Sequence, residues 1–220
     1  MTATRLPRLP AAAQHVLRTS PVSLGYVAVL AGGAAWLRTL DGATRNAVLH
    51  GASTNLQNLR HGRWSVLLSS ALVLVPPVGR SLLVALPVLA GAERRLGSSR
   101  VLAVFAAGHV AATLVVAGLL EAHALPGVTT RGTVRAVDVG LSYGLLAVAG
   151  ALAVNVRHAR WWLAALVLLA AYPFAQWPVT FTDWGHLFAL LLGVLAGGGL
   201  RRFDTGLADR PRLWPLRRPA

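Results

Sequence analysis

The chain has 220 residues, 55 % of them apolar, and these fall in blocks rather than periodic stripes, which excludes a soluble domain and reads as an all-α polytopic membrane protein. Its 21 basic residues, all arginine, outweigh 7 acidic ones to give a net charge of +14, but they gather at the ends of apolar blocks, where they set orientation and meet anionic headgroups; the lipid bilayer, not nucleic acid, is the expected partner. With no cysteine, the chain can form no disulfide, zinc–thiolate site or thiol nucleophile.

Residues 1–21 carry Arg5, Arg8 and Arg18 without an apolar core, so they are expected to form a cytoplasmic segment rather than a cleaved signal. A helix rises about 1.5 Å per residue, and crossing about 30 Å of hydrocarbon takes roughly 20 residues. Residues 22–40 meet that length. The next apolar stretch, 64–92, is broken by Pro76, Pro77, Gly79 and Arg80. Its first part, 65–75, is too short to cross and predicts a membrane-embedded hairpin packed on protein, because exposed backbone is costly in lipid. Residues 79–92, kinked by Pro87, make the second span, and 101–120, 139–156, 161–177 and 185–200 complete six. The expected architecture is a six-transmembrane-helix domain over 22–200, with a hairpin between its first two spans, followed by an Arg/Pro-rich cytoplasmic tail over 201–220.

Arginine counts orient this bundle. With the N-terminus inside, the inner segments hold 14 arginines and the outer ones 6, with Arg80 left at a span end, so both termini are expected in the cytoplasm, most simply of a bacterial cell. The fourth and sixth spans then both run from outside to inside. Ser142 lies four residues beyond Asp138, and His186 three beyond Asp183, which sets each about 5 Å down its helix. Asp138 and Asp183 are expected to be N-caps. A hydroxyl and an imidazole at one depth in a bilayer suggest chemistry, since ionisable groups in spans are rare and usually functional.

Small residues let helices in lipid approach closely. The sixth span has Gly185, Ala189, Gly193 and Gly197 at a strict spacing of four, and the fourth supplies Gly140, Gly144, Ala147 and Ala151. Contact between these faces is expected to bring Ser142 Oγ and His186 within hydrogen-bond reach. The alternative is that the glycines only pack the helices and Ser142 bonds a carbonyl of its own helix. His109, near the middle of the third span, is expected to bond a neighbouring carbonyl. Thr54, Asn55 and Asn58 form an outer polar patch expected to line access. Spacing of the histidines supports no metal site, and no cofactor is expected.

Four stretches resemble the rhomboid family of intramembrane serine proteases. Gly62-Arg-Trp-Ser-Val-Leu-Leu-Ser-Ser70 is similar to the start of the family's first-loop hairpin, and Glu93-Arg-Arg-Leu-Gly-Ser98 to its Glu-x-x-x-Gly-Ser element. Gly140-Leu-Ser142 resembles the Gly-x-Ser nucleophile motif, and His186 with Gly193 the His-x-x-Gly-x-x-x-Gly motif of the last span. The resemblance implies a Ser142–His186 dyad cleaving transmembrane-helix substrates near the outer face. Departures are also plain. The His-x-x-x-Asn pair that helps hold the oxyanion falls on Pro77 and Ser81, Tyr143 and Leu146 stand where a glycine and an aromatic are usual, and Ala189 replaces a motif glycine. Losing one oxyanion donor costs about 3 kcal/mol, so an active enzyme is still expected, with Ser81, Asn58 or the Ser142 amide as donor. The alternative expectation is an inactive rhomboid-like protein that binds transmembrane helices as clients.

Overall fold

The computed structural model describes residues 18–128, 133–176 and 178–203. Most of the expected N-terminal segment, Trp177 and nearly all of the expected tail lie outside the described residues. Those described are helical, without a strand among them, in nine α-helices: α1 (Pro21–Thr39), α2 (Gly42–Ala52), α3 (Leu56–Arg60), α4 (Val66–Ser69), α5 (Val78–Leu96), α6 (Ser98–Glu121), α7 (Ser142–Val154), α8 (Ala159–Ala171) and α9 (Phe181–Phe203). By length and composition α1, α6 and α9 are each able to cross a membrane, while α7 and α8 are apolar but only 13 residues long.

Helix α1 begins where Pro21, with its fixed φ and missing N–H, fits the first turn. Its unpaired amides are capped from another helix. The Glu93 carboxylate on α5 accepts from Val22 N (3.1 Å) and Ser23 N (2.8 Å), and also from Ser23 Oγ (2.6 Å) and Ser98 Oγ (2.7 Å). An anion at a helix N-terminus completes orphan donors and opposes the helix dipole, so a carboxylate only 3 % exposed is stabilised there. Helices α1 and α5 are thereby locked antiparallel. Gly97, at φ +94°, turns the chain from α5 directly into α6, a backbone state that a side chain would strain.

The helix expected as a second span over 79–92 is α5, which runs on to Leu96 because its C-terminal end finds partners: Glu93 as above, and Arg95 Nε, which donates to Asn155 O at the end of α7. The 65–75 segment is a short α4 followed by a 3-10 turn over Ser70–Leu72, and Tyr26 Oη donates to Ala71 O at 2.5 Å to tie it to α1.

The centre of the molecule is the α6–α7–α9 trio. Added Cβ atoms show how tightly it closes: on Gly193 one would lie 2.0 Å from Ala147 O, on Gly197 2.6 Å from Ala151 Cα, and on Gly108 2.2 Å from Ala147 Cβ. Backbone thus rests on backbone, as expected where small residues drive association in lipid. Ala147 with Gly193 and Ala151 with Gly197 are both pairs 46 residues apart, so α7 and α9 run parallel, as expected of the fourth and sixth of alternating spans. Two expected packing glycines do something else. Gly144 faces the Phe105 ring of α6, and Gly140 has open space around it but a φ of +136°, so it serves the turn into α7 rather than the seam. Helix α8 lies at the edge, with Trp161, Trp162, Leu168 and Leu169 exposed, an outward apolar surface suited to lipid.

Candidate active site

Ser142 is the first residue of α7. The helix starts here, not at 139, because Gly140 bends the chain and Leu141, the N-cap, offers no capping side chain. Asp138, expected to be that cap, is spent elsewhere: its carboxylate accepts from Thr54 Oγ1 at 2.8 Å and its amide donates to Ser53 Oγ at 2.8 Å. Burial pushes the Asp138 carboxyl up to about 6, against the pull of the Thr54 hydroxyl. Thr54 N to Asp138 O (3.0 Å) and Gln57 N to Val134 O (3.1 Å) extend the same clasp between the loop after α2 and the loop before α7.

The consequence for α7 is an uncapped N-terminus. The first amides of any helix lack intrahelical partners, and no side chain fills that role at Ser142, Tyr143 and Gly144. Of these, Ser142 is partly exposed, while Tyr143 and Gly144 are buried; a helix N-terminus of this kind favours an anion or a carbonyl oxygen.

His186 stands in the first turns of α9. That helix begins four residues before the expected 185 because Thr180 and Asp183 form a reciprocal cap: Asp183 Oδ2 accepts from Thr180 N (2.8 Å) and Oγ1 (2.7 Å), while Asp183 N donates to Thr180 Oγ1 at 3.4 Å. Asp183 therefore caps from the third helical position rather than from the N-cap itself. Extending the 46-residue register sets His186 level with Gly140 and Ser142 about 3 Å deeper, which is half a turn.

The two are neighbours in depth but are not bonded to each other. Neither Ser142 Oγ nor the buried His186 Nε2 has a hydrogen-bond partner among the described residues. What touches His186 is Tyr143: the ring centroids are 5.5 Å apart in an edge-to-face arrangement, and an added Cβ on Gly185 would lie 2.2 Å from the Tyr143 ring. Tyr143, a departure from the resembling motif, thus fills the space that Gly185 leaves. Its hydroxyl is buried beside Thr182 without a well-formed hydrogen bond, and His109 Nδ1 and Thr113 Oγ1 on α6 are buried without a partner among the described residues. His109 lies 6.1 Å from Tyr143 by ring centroid, so these polar groups collect at one three-helix junction. His109 is not carbonyl-bonded as expected; its Nε2 pairs with Ser70 Oγ at 3.0 Å.

The side-chain oxyanion candidates are engaged. Asn58 donates both amide hydrogens, to His50 O (2.7 Å) and Ser53 O (2.8 Å), and accepts from Arg63 Nη1 at 3.0 Å, so it braces the loop and has no hydrogen left over. Ser81 Oγ donates to Pro77 O at 3.3 Å in the first turn of α5. Thr54 and Asn55 line a small cavity with Thr113, Asp138 and Phe181 beside the clasp. Among the described residues no cluster of metal-ligating side chains occurs.

Sequence reasoning missed Tyr143 and Ser70 as site residues. The signal was there for Tyr143, since a polar aromatic beside a candidate nucleophile on a glycine-lined face needs a partner for its hydroxyl.

No curated protein and no solved structure matches this chain. A family model described as "Rhomboid-like protein" matches residues 15–202, which takes in every helix of the bundle and both Ser142 and His186. An all-helical bundle with apolar spans, closed by a glycine seam and matched across that whole length, is an integral membrane protein, and the chain belongs to the rhomboid-like proteins.

Proposed function

We propose that the chain is an intramembrane serine endopeptidase in a six-span bundle with both termini cytoplasmic, cleaving transmembrane-helix substrates near the outer face with Ser142 and His186. One observation carries this reading: His186 Nε2 is buried and unpartnered beside the uncapped N-terminus of α7, whose first residue is Ser142. An unpaired buried ring nitrogen costs about 1–3 kcal/mol, and at this depth, next to Ser142, it is free to take up a proton.

In the reaction, Ser142 Oγ attacks the scissile carbonyl carbon while His186 Nε2 takes its proton. The oxyanion is held by the open α7 amides, which stand in for Asn58 and for the donor that Pro77 cannot supply. Collapse breaks the C–N bond, His186 returns the proton to the leaving amine, and water then hydrolyses the acyl ester by the same proton route. A missing Ser142–His186 bond in the substrate-free protein is compatible with this, since such bonds often tighten only in the complex.

A second reading, a non-catalytic protein that binds client helices, is favoured by the Tyr143 ring packed on His186 and by the engaged Asn58 amide. Fluorophosphonate labelling of the purified protein, with Ser142→Ala and His186→Ala alongside, separates the two. Labelling lost in both variants supports the protease. No labelling of a folded wild-type protein removes the first reading and leaves the second.

A further inference from the structure

Ser70, in the turn after α4, touches two elements at once. Its hydroxyl pairs with His109 Nε2 of α6 at 3.0 Å, and its carbonyl accepts from Gly140 N at 2.9 Å. Ser70 is fully buried and His109 is 4 % exposed, so neither bond competes with water. Gly140 is the residue at φ +136° that turns the chain into α7, two positions before Ser142. Nothing lies within 4 Å of where a Cβ on Gly140 would be, so no side chain packs against it from that direction. The Ser70 carbonyl holds Gly140 directly, between the Asp138–Thr54 clasp and buried Leu141, and Ser70 is itself held by His109 and, through Ala71 O, by Tyr26 Oη. Nothing in the proposed dyad chemistry uses His109, yet a histidine in the middle of an apolar span demands a reason.

We infer that His109 is a positioning residue: through Ser70 it fixes Gly140, and so sets where Ser142 stands at the head of α7. This rests on the protease reading for its catalytic consequence, but the mechanical coupling is independent of it. In that arrangement the hairpin is a strut between α6 and the nucleophile turn. Loosening the strut lets residues 139–142, beyond the Asp138–Thr54 clasp, shift relative to His186 without disturbing the α7–α9 seam deeper in the bundle.

Two readouts in full-length protein in detergent test this. The first is the rate of fluorophosphonate labelling of Ser142 in Ser70→Ala, His109→Leu and His109→Gln. A buried hydrogen bond is worth roughly a factor of ten, so labelling should slow about tenfold in Ser70→Ala and His109→Leu, while His109→Gln, whose amide can still meet the Ser70 hydroxyl, recovers most of the rate. The Ser70→Ala/His109→Leu double variant should be no slower than the worse single one, because both break one chain of contacts. The second readout needs no catalysis: in a Ser142→Cys background, the maleimide alkylation rate should change by about the same factor in Ser70→Ala and return toward the parent in His109→Gln. Ser70→Ala, nearly conserving volume, keeps the test open should His109→Leu fail to fold. Equal alkylation rates in folded parent and Ser70→Ala proteins overturn the inference. Altered alkylation with no labelling of the wild-type protein upholds the coupling and defeats the protease.

Discussion

Replacing Glu93 should unlock α1 from the bundle. The carboxylate, 3 % exposed, is the shared acceptor of four donors: the amides of Val22 and Ser23 and the hydroxyls of Ser23 and Ser98. The hydroxyls can rotate toward other acceptors, but the two amides belong to the first turn of α1, where no N-cap side chain replaces the lost oxygen. At about 1–3 kcal/mol for each buried donor left unpaired, Glu93→Ala costs roughly 4 kcal/mol. For a chain of this size 1 kcal/mol moves Tm by about 2–4 °C, so a fall of roughly 8–16 °C is expected. Glu93→Gln keeps one oxygen acceptor and should fall about half as far. Ser23→Ala combined with Glu93→Ala should add almost nothing, since the bond it removes is already gone. The chain's 7 tryptophans give an intrinsic signal for thermal unfolding in detergent without a dye that partitions into micelles. A Glu93→Ala protein melting within about 2 °C of wild type would refute the argument.

The glycine seam gives a sharper steric forecast. An Ala147 oxygen 2.0 Å from an added Cβ leaves more than 1 Å to be found, so Gly193→Ala should force α7 and α9 apart and cost roughly 2–3 kcal/mol, while Gly199→Ala, with open space, should be neutral or slightly stabilising by thermal melt. Asp138 supplies a pH dependence. Its carboxyl is raised from 3.8 to about 6, so the folded state binds the proton more tightly than the unfolded one; the resulting stabilisation is complete below pH 3.8 and lost as pH rises through 6. Allowing for its partial exposure, going from pH 7.5 to 5 should gain roughly 1 kcal/mol relative to Asp138→Asn, and parallel pH–Tm curves for the two proteins would count against it. The exposed Arg60–Glu121 pair should matter little: Arg60→Gln is expected to move Tm by less than about 2 °C, and less still in high salt. His186→Leu removes an unpaired buried polar atom and should hold or raise Tm while abolishing any labelling of Ser142; a large loss of stability would mean that His186 has a structural role.

Where the sequence was legible, the cause was local. Apolar block lengths placed α1 at Pro21–Thr39 against an expected 22–40 and α6 at Ser98–Glu121 against 101–120, and a spacing of four small residues foretold the α9 face that meets α7. Both facts follow from helix geometry alone. Where it was not, a tertiary partner decided. Asp138 reads as a cap until Thr54, 84 residues away in sequence, claims its carboxylate. Asn58 reads as a free amide until its own loop consumes it. Glu93 reads as a motif residue, and only its contacts with Val22 and Ser23 give its physical task. The expected Ser142–His186 contact rested on depth alone, and depth says nothing of rotation about the helix axes, which is what puts the Tyr143 ring against the imidazole.

The junction of α6, α7 and α9 combines opposite kinds of packing. Deeper in the bundle, Gly193, Gly197, Ala147 and Ala151 bring backbones into contact with no polar side chain between them. Beside that seam, polar atoms of His109, Thr113, Tyr143 and His186 are buried without a well-formed partner among the described residues. The rigid seam and the Glu93 clamp are what allow the fold to tolerate such a site. Strain and unsatisfied groups collect where a protein acts and are offset by packing elsewhere. By that logic the polar junction, together with the nucleophile motif, is where the proposed chemistry is best tested in this rhomboid-like chain.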